Sequence, residues 1–431
     1  MIAIWKYSDR DFDQNIKSLV LRSEFDFSEA EGTVREILKE VKRDGDRALL
    51  KWTRQLDRAD YTLDDLEVTP EEIQRAYDHI ELGELEALKL AVDNITRFHQ
   101  RQVQGSWEYQ EGGVHLGQII RPLAVAGIYV PGGKASYPSS VLMNALPAQV
   151  AGVETIIMCT PTPDGVLSPH VLVAADLAGV HRIFKVGGAQ AVAAMALGTA
   201  TIPRVDKIVG PGNIYVALAK RLVFGLVDID MIAGPSEILI LADESARPDF
   251  VAADLLSQAE HDEQAVPLLV TPSEKLAHAT RDELEKQKNV LPRKEIIEIS
   301  LRDNCRLIVT ESLEQALDLA NRIAPEHLEL AVENPRQCAV KIKNAGAIFL
   351  GHYTPEAIGD YLAGPNHVLP TSGTARFSSP LGVYDFIKRT SLISYTRDEL
   401  AKQSGACQKL AVMERLEAHA NAVRIRVSGE G

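Results

Sequence analysis

The sequence is poor in cysteine, and no arrangement of its cysteines indicates a disulfide framework or a zinc cluster. The four, Cys159, Cys305, Cys338 and Cys407, lie far apart, and no CxxC pair occurs. Sparse, unpaired cysteines are typical of reduced thiols inside a cell. We therefore predict a cytoplasmic protein in which none of these thiols binds metal or acts as a nucleophile.

Other absences exclude further classes of protein. No apolar run reaches the roughly 20 residues that span a bilayer, and the opening MIAIWKYSDRDFDQ lacks the basic and apolar segments of a signal peptide. A formal net charge of −14 argues against binding to a phosphate backbone, so we expect neither a membrane nor a nucleic-acid partner. No heptad or short repeat is present. A globular chain of 431 residues predicts two or three domains.

The pattern of apolar residues predicts an α/β protein. The first hundred or so residues carry helical spacing, with TPEE at 69–72 as a helix start. From about residue 121 the character changes to short β-branched runs that each end in glycine or proline. These runs are AVAGIYVPGG, ETIIMCTPTP, HRIFKVGGAQA and DKIVGPGN, followed by SEILILAD, VPLLVT, CRLIVT, HLELAV and AGAIFLG. With helix-compatible segments between them, they indicate two α/β units with parallel sheets.

Three of these runs end in segments suited to a nucleotide. YVPGG, VGGAQ and VGPGN would bring Tyr129, Gln190 and Asn213 to the carboxyl edge of one sheet, where ligands bind in parallel α/β folds. Glycines allow close approach of a ligand, and amides that open a helix favour phosphate. The dinucleotide fingerprint GxGxxG is absent, and tight turns between strand and helix would explain the same glycines.

Two side chains that transfer protons stand next to each other in RIAPEHLEL. Glu326 and His327 follow a proline directly after a helical pattern and precede an alternating run. The pair would suit acid–base chemistry, although a solvated glutamate beside a packed histidine has the same sequence. Adjacent side chains point to opposite faces of an extended strand. We therefore predict that the backbone at 325–327 is not extended.

Four residues could bind a metal, although their spacing alone does not unite them. Gln258 and His261, three apart in LLSQAEHDE, are predicted on one helix face, and Asp360 precedes a Gly-Pro loop. His419 lies on a helical stretch with Glu414 in the turn before it, roughly 140° around the helix. Each histidine has an ordinary alternative as a surface or packed residue.

With these residues in place, the sequence resembles the histidinol dehydrogenase family over nearly the whole chain. The segments that carry the resemblance are GIYVPGGKASYPSSVLMNALPA, VGGAQAVAAMALGT, KIVGPGNIYV, DMIAGPSEILILAD, LLSQAEHD, RIAPEHLEL and GDYLAGPNHVLPTSGTARFSSPL.

The resemblance implies a role for each candidate residue. Glu326 and His327 match the proton-transfer pair, and Tyr129, Gln190 and Asn213 match the NAD contacts. One zinc ion per subunit is implied, with ligands at Gln258, His261, Asp360 and His419. The implied substrate contacts are Ser236, Gln258, His261, His327, Asp360, Glu414 and His419.

The resemblance also implies an arrangement of domains in an intertwined homodimer. An N-terminal arm at 1–23 would precede a discontinuous α/β domain at 24–124 and 235–375, which carries the metal and proton-transfer residues. A Rossmann-like NAD-binding domain at 125–234 would be inserted into it, so that the subunit has two incomplete Rossmann-like domains. A C-terminal arm at 376–431 would complete the active site of the partner subunit.

The implied reaction oxidises L-histidinol through L-histidinal to L-histidine, with two NAD molecules reduced in turn. His327 would take the hydroxyl proton in the first oxidation, and Glu326 would activate water for the second. Zinc would anchor the imidazole and amine of the substrate. Three alternatives remain: a dehydrogenase of the same family for another small alcohol such as a sulfonated diol, a zinc hydrolase or aldolase, and a non-catalytic binding protein.

Overall fold

The structure, a computed structural model, describes residues 2–20, 27–132 and 136–428. Its strands are β1 (Ala3–Lys6), β2 (Trp107–Glu111), β3 (Val114–Pro122), β4 (Val125–Tyr129), β5 (Thr155–Cys159), β6 (Arg182–Phe184), β7 (Lys207–Val209), β8 (Asp228–Ile229), β9 (Glu237–Ala242), β10 (Val266–Thr271), β11 (Arg306–Val309), β12 (His327–Ala331), β13 (Ala347–Leu350) and β14 (Ile387–Tyr395).

The helices fall between these strands and at both ends of the described chain. They are α1 (Phe12–Val20), α2 (Ser28–Asp44), α3 (Asp46–Asp57), α4 (Pro70–Tyr77), α5 (Leu82–Gln100), α6 (Pro138–Ala151), α7 (Pro169–Leu177), α8 (Gly188–Leu197), α9 (Ile214–Val223), α10 (Pro248–Ala259), α11 (Glu274–Gln287), α12 (Lys294–Asp303), α13 (Leu313–Ile323), α14 (Pro335–Ala339), α15 (Glu356–Tyr361), α16 (Arg397–Met413) and α17 (Glu417–Ser428). No helix among the described residues is long and apolar enough to cross a membrane.

The chain divides into two compact units. The first comprises Met1–Gln102 and Ala124–Phe386, and the second comprises Val103–Leu123 and Ile387–Gly431. The predicted domain boundaries and the intertwined dimer are not tested by this division and stay predictions. Parts of the predicted segments lie outside the described residues: residues 1 and 21–23 of the N-terminal arm, 24–26 of the discontinuous domain, Gly133 of YVPGG and 429–431 of the C-terminal arm.

A six-stranded parallel sheet forms one layer of the first unit. Its strand order is β1-β11-β10-β9-β12-β13, and all its pairs are parallel. Strand β9 reads EILILA, and every one of its residues is buried, as expected for a central strand with helices on both faces. Ile238 and Ile240 pack into one apolar cluster, and Leu239 and Leu241 pack into another. The sheet therefore has a core on each face.

A second parallel sheet, also in the first unit, has the order β6-β5-β4-β7-β8. Its apolar cluster includes residues of α2, α8 and α9, so the helices near the N-terminus help to cover this sheet. The prediction of an α/β fold with two parallel sheets is confirmed. Each of the nine quoted runs contains the strand that was predicted there.

The second unit contains an antiparallel sheet that the sequence did not predict. Strand β3 lies between β14 and β2, and α16 and α17 follow along the chain. All residues of β2 and most of β14 are exposed. Their residues therefore lack the apolar pattern that marks buried strands.

Candidate active site

The segment between α13 and β12 sets the direction of Glu326 and His327. Helix α13 ends at Ile323, and Ala324 takes the left-handed conformation, with φ 51°. Glu326 lies in a bend, and β12 begins at His327. The predicted departure from extended backbone is thus confirmed at Glu326 and was wrong at His327, which already belongs to the strand. Oε2 of Glu326 lies 3.7 Å from Nδ1 of His327, so the adjacent side chains do meet.

The two ring nitrogens of His327 have different surroundings. Nδ1 lies 2.9 Å from the carbonyl oxygen of Glu237. Because a carbonyl can only accept, Nδ1 must carry the proton of this hydrogen bond. Nε2 is buried without a hydrogen-bond partner among the described residues, and Oδ1 of Asp360 is 3.6 Å away. A ring held in this way directs Nε2 at whatever occupies the site.

Glu326 is held by the backbone of the neighbouring strand. Its Oε2 accepts a hydrogen bond from the amide of Glu237 at 2.8 Å. The side chain is almost completely buried, and this burial raises the pKa of Glu326 to about 8, although His327 and the Glu237 amide act in the opposite direction. A carboxyl group whose pKa lies near neutrality can both accept and release a proton under working conditions.

Charged groups crowd around His327. Burial alone would lower its pKa, but Glu356, Glu326 and Asp360 raise it well above the ordinary value for histidine. Burial raises the pKa of Glu356 to about 7. Burial acts in the same direction on Asp360, but the contact with His327 holds the pKa of that carboxyl below its usual value. The site thus places an imidazole among carboxyl groups of different proton affinity.

The structure places Gln258 and His261 together, although not on one helix as predicted. Gln258 lies in the last turn of α10, which ends at Ala259, and His261 lies in the turn that follows. The prediction of one helical face was wrong because the chain leaves the helix two residues before His261. The His261 amide still donates to the Gln258 carbonyl at 3.2 Å. Their side chains meet as well.

The amide of Gln258 has one orientation that satisfies its neighbours. In that orientation its nitrogen donates to Oε1 and Oε2 of Glu356 at 2.7 and 3.2 Å, and its oxygen lies 3.1 Å from Nδ1 of His261. The reverse orientation would press the amide oxygen against a carboxylate. Burial lowers the pKa of His261, which favours the neutral ring that a metal ion requires.

Helix α15 brings Glu356 and Asp360 to the same centre. The two residues are four apart, so both project from one side of the helix. Oε1 of Glu356 lies 3.7 Å from Nδ1 of His327. His367 supports this helix, because its Nδ1 lies 3.0 Å from the carbonyl oxygen of Asp360. The helix therefore delivers two acidic groups beside His327.

The donors at this centre fit a divalent cation. Potential ligand atoms of His327, Glu356 and Asp360 all lie within 4.8 Å of one another. The oxygen of Gln258 and Nδ1 of His261 are 3.1 Å apart. Two atoms bound to one zinc ion at its usual distances would lie roughly 3.0–3.4 Å apart. Asp360 belongs to this group and to the predicted ligand set, whereas Glu356 was not predicted at all.

The predicted nucleotide residues occupy the carboxyl edge of the second sheet. The Gly188 amide donates to the hydroxyl oxygen of Tyr129 at 3.1 Å, so the segment that follows β6 reaches the side chain at the end of β4. Gln190 is completely buried, and neither end of its amide has a hydrogen-bond partner in the described part of the chain. Asn213 is exposed and caps α9 by accepting from the amides of Tyr215 and Val216.

These features fit a dinucleotide. Buried polar groups normally have hydrogen-bond partners, so a ligand that pairs with the Gln190 amide would satisfy it. A Cβ atom added to Gly210 would lie 2.0 Å from the Tyr129 carbonyl oxygen, so the loop approaches that strand as closely as a glycine permits. Burial and the nearby Asp57 both raise the pKa of Tyr129. No local sequence signal pointed to Asp57.

The remaining candidates lie in two different places. Ser236 is half-buried immediately before β9, and its carbonyl accepts from the Val266 amide. Glu414 and His419 belong to the second unit. They lie on separate elements, because α16 ends at Met413, Arg415 has φ 61°, and α17 begins at Glu417. The prediction of one continuous helix there was wrong, and the roles of both residues stay predictions.

Sequence reasoning missed Glu356, Glu237 and Glu329. All three are buried, and each holds a part of the centre through a hydrogen bond. The spacing of Glu356 and Asp360 in EAIGD was a usable signal for a shared helix face. In sequence, Glu237 and Glu329 look like ordinary strand residues, and only their burial in the structure sets them apart from exposed glutamates.

Taken together, the fold and the site define an α/β enzyme with a buried acid–base pair beside a cluster of candidate metal ligands. A family model described as histidinol dehydrogenase matches residues 20–427. The chain belongs to the histidinol dehydrogenase family and is an oxidoreductase.

Relatives and a solved structure show the same membership. The chain is 53% identical over 425 residues to histidinol dehydrogenase of Geobacter metallireducens, with 98% of each chain covered. It is 55% identical over 398 residues to that of Listeria innocua, which covers 92% of this chain and 93% of the relative. The crystal structure of histidinol dehydrogenase from Elizabethkingia anophelis matches with a TM-score of 0.93 at 38% identity and covers 99% of this chain and 98% of the other.

Proposed function

We propose that this enzyme oxidises L-histidinol through L-histidinal to L-histidine, reducing two molecules of NAD and depending on zinc, in the last steps of histidine biosynthesis in the cytoplasm. The observation that carries the proposal is the orphaned Nε2 of His327, buried beside Glu326 and the candidate ligands. An alcohol oxidised twice at one carbon needs two proton acceptors within reach of that carbon.

His327 is the base for the first oxidation. Its Nδ1 proton is engaged by the Glu237 carbonyl, so the substrate hydroxyl proton passes to Nε2. Asp360, 3.6 Å from Nε2, stabilises the resulting positive charge on the ring. The contact to Glu237 also fixes the ring plane, which keeps Nε2 aligned with the hydroxyl group.

Glu326 is the base for the second oxidation. The aldehyde must gain water before a second hydride can leave the carbon, and a carboxylate can take the proton that this water loses. The amide of Glu237 holds one carboxylate oxygen of Glu326, and burial keeps its pKa high enough to accept a proton.

Binding of the cofactors uses the two groups of residues described above. A zinc ion held by Gln258, His261, Asp360 and the His419 of a partner subunit would supply an electrophilic anchor for the imidazole and amine nitrogens of the substrate. NAD in the crevice of Tyr129, Gln190 and Asn213 would supply the hydride acceptor. Ser236 and Glu414 bind the polar, cationic end of the substrate, and the enzyme works as a homodimer.

A stoichiometric assay tests the proposal. Complete consumption of L-histidinol should give two NADH per substrate, and a chelator should abolish this activity until zinc is restored. One NADH per substrate, or none, would contradict it. A sulfonated diol in the same assay tests the alternative that the enzyme oxidises another small alcohol. Glu414 favours a cation, so we expect no turnover of that anion.

A further inference from the structure

Gln258 is an unusual candidate metal ligand because its amide can face an ion in two ways. The carbonyl oxygen is a ligand atom, whereas the NH₂ group is a donor that a cation repels. The two ends have nearly the same shape, so packing alone does not select between them. Something that recognises the NH₂ group is needed to keep the oxygen directed at the ion.

Glu356 supplies that recognition. The Gln258 nitrogen donates to both of its carboxylate oxygens, at 2.7 and 3.2 Å, while the Gln258 oxygen faces His261. Gln258 is completely buried and Glu356 is 1% exposed, so water does not compete for this hydrogen bond. An ionised carboxylate has no proton to donate, so it can accept hydrogen bonds from the NH₂ group but cannot pair with the carbonyl oxygen of the amide.

Glu356 is itself held in place by two further contacts. Its backbone amide donates to Oε1 of Glu329 at 2.7 Å, and the Ser257 hydroxyl lies 3.3 Å from its Oε2. The same short helix carries Asp360 one turn later. A displacement of Glu356 would therefore disturb two candidate ligands, Gln258 and Asp360.

We propose that Glu356 is a positioning residue that accepts the amide protons of Gln258 and so directs the Gln258 oxygen at the metal ion. This role rests on the proposed zinc-dependent function and deepens it. Both of its carboxylate oxygens accept from the Gln258 amide, so Glu356 acts through Gln258 rather than as a ligand. Partners of this kind typically account for a 10- to 100-fold change in metal affinity.

Glu356→Met and Glu356→Gln test the role by their effect on zinc affinity, measured on the metal-free dimer by competition with a chromophoric chelator. Methionine has similar length but accepts poorly, so we expect zinc affinity to fall about 10- to 100-fold. The carbonyl of glutamine still accepts from Gln258, so we expect Glu356→Gln to stay within about threefold of the wild type. The visible spectrum of the cobalt-substituted enzyme should change for methionine and persist for glutamine.

Glu40→Met is the matched control, because it removes a carboxylate that contacts Lys51 and Trp52. It should leave zinc affinity unchanged. Should Glu356→Met fail to fold, as judged by circular dichroism, Glu356→Asp takes its place; the shorter side chain should lose affinity in the same way.

The outcomes separate the two proposals. Wild-type zinc affinity in a folded Glu356→Met or Glu356→Asp variant would overturn the positioning role. Equal losses for Glu356→Gln and Glu356→Met, with a changed cobalt spectrum in both, would overturn it in favour of a direct ligand. If the wild-type enzyme bound no zinc, the proposed zinc-dependent function would be wrong, whatever the variants showed.

Discussion

His327 offers one ring nitrogen to the protein and the other to the interior of the site. The carbonyl of Glu237 fixes the proton on Nδ1, and no described residue satisfies Nε2. Glu326, one residue earlier, is fixed by the amide of the same Glu237. A single residue of β9 thus orients both proposed bases, and each of these side chains has its own surroundings. This separation predicts that the two oxidations can be impaired independently.

Glu326→Gln should therefore impair the second oxidation more than the first. Glutamine keeps an oxygen that can accept from the Glu237 amide but cannot take a proton from water, and loss of a general base typically costs 10²–10⁴-fold in rate. We expect NADH formation from supplied L-histidinal to fall by about that factor. Single-turnover oxidation of L-histidinol should fall less than about tenfold.

His327→Gln should give the reverse pattern in the same two assays, because it removes the acceptor of the hydroxyl proton. The melting temperatures of both variants serve as the control for folding. Equal loss in both steps for both variants would show that the bases do not divide the work.

Among the elements, the loop after β7 shows how backbone shape serves the crevice. Gly210 has φ 116°, and a Cβ atom at this position would overlap the Tyr129 carbonyl oxygen. Its amide donates to Asp230, and its carbonyl accepts from the buried Lys220. The loop is therefore held on both sides against β4, and only glycine fits there.

Gly210→Ala should weaken NAD binding by displacing this loop. We expect the Michaelis constant for NAD to rise about 5- to 150-fold, as an overpacked contact costs on the order of 1–3 kcal/mol. Zinc content should not change. Gly225→Ala is the matched control: its φ is also positive, at 93°, but the added Cβ meets nothing within 4 Å. An equal effect of both substitutions would mean that backbone strain alone is responsible.

Buried strands could be predicted from the sequence, but contacts between distant elements could not. Runs such as EILILA reveal themselves because both faces are apolar. Strand β2 has no buried residue and gave no signal. The Gln258–Glu356 contact joins two helices that are 98 positions apart in sequence, and no local pattern encodes it. The resemblance to a family supplied most site residues, but not Glu356, which only the fold places against Gln258.

A half-buried carboxyl group on α10 and a buried one on β12 make stability depend on pH. Burial raises the pKa of Asp254 to about 6 and that of Glu329 well above its usual value, the latter also through Asp254. Both groups titrate near pH 4 in an unfolded chain. A carboxyl group whose pKa is raised by folding favours the folded state while protonated. This contribution is complete below about pH 4 and is lost as the pH rises through 6 and beyond.

Glu329→Gln should flatten this dependence. Glutamine keeps an oxygen for the Glu356 amide but carries no charge. We expect the variant to gain stability relative to the wild type at pH 8 and to lose this advantage at pH 5. Urea midpoints at the two values provide the measurement. Parallel shifts at both would show that Glu329 does not titrate differently in the folded protein.

The whole molecule raises the question of whose C-terminal arm serves which site. Gln258, His261 and Asp360 belong to the first unit, whereas Glu414 and His419 belong to the second. The family resemblance predicts that His419 acts in the partner's site. The arm could act on its own subunit or on its partner. A closed dimer has two equivalent sites, so these two arrangements predict different activities when two inactive variants are combined in one dimer.

Co-expression of His261→Ala with His419→Ala subunits distinguishes these two arrangements. With exchanged arms, a mixed dimer has one site with both defects and one with neither. Random pairing gives about half mixed dimers, so about a quarter of wild-type activity should return. Co-expression of His261→Ala with Asp360→Ala is the control, because both residues lie in the first unit and every exchanged site keeps one defect. If each arm served its own subunit, the first mixture would stay as inactive as the control.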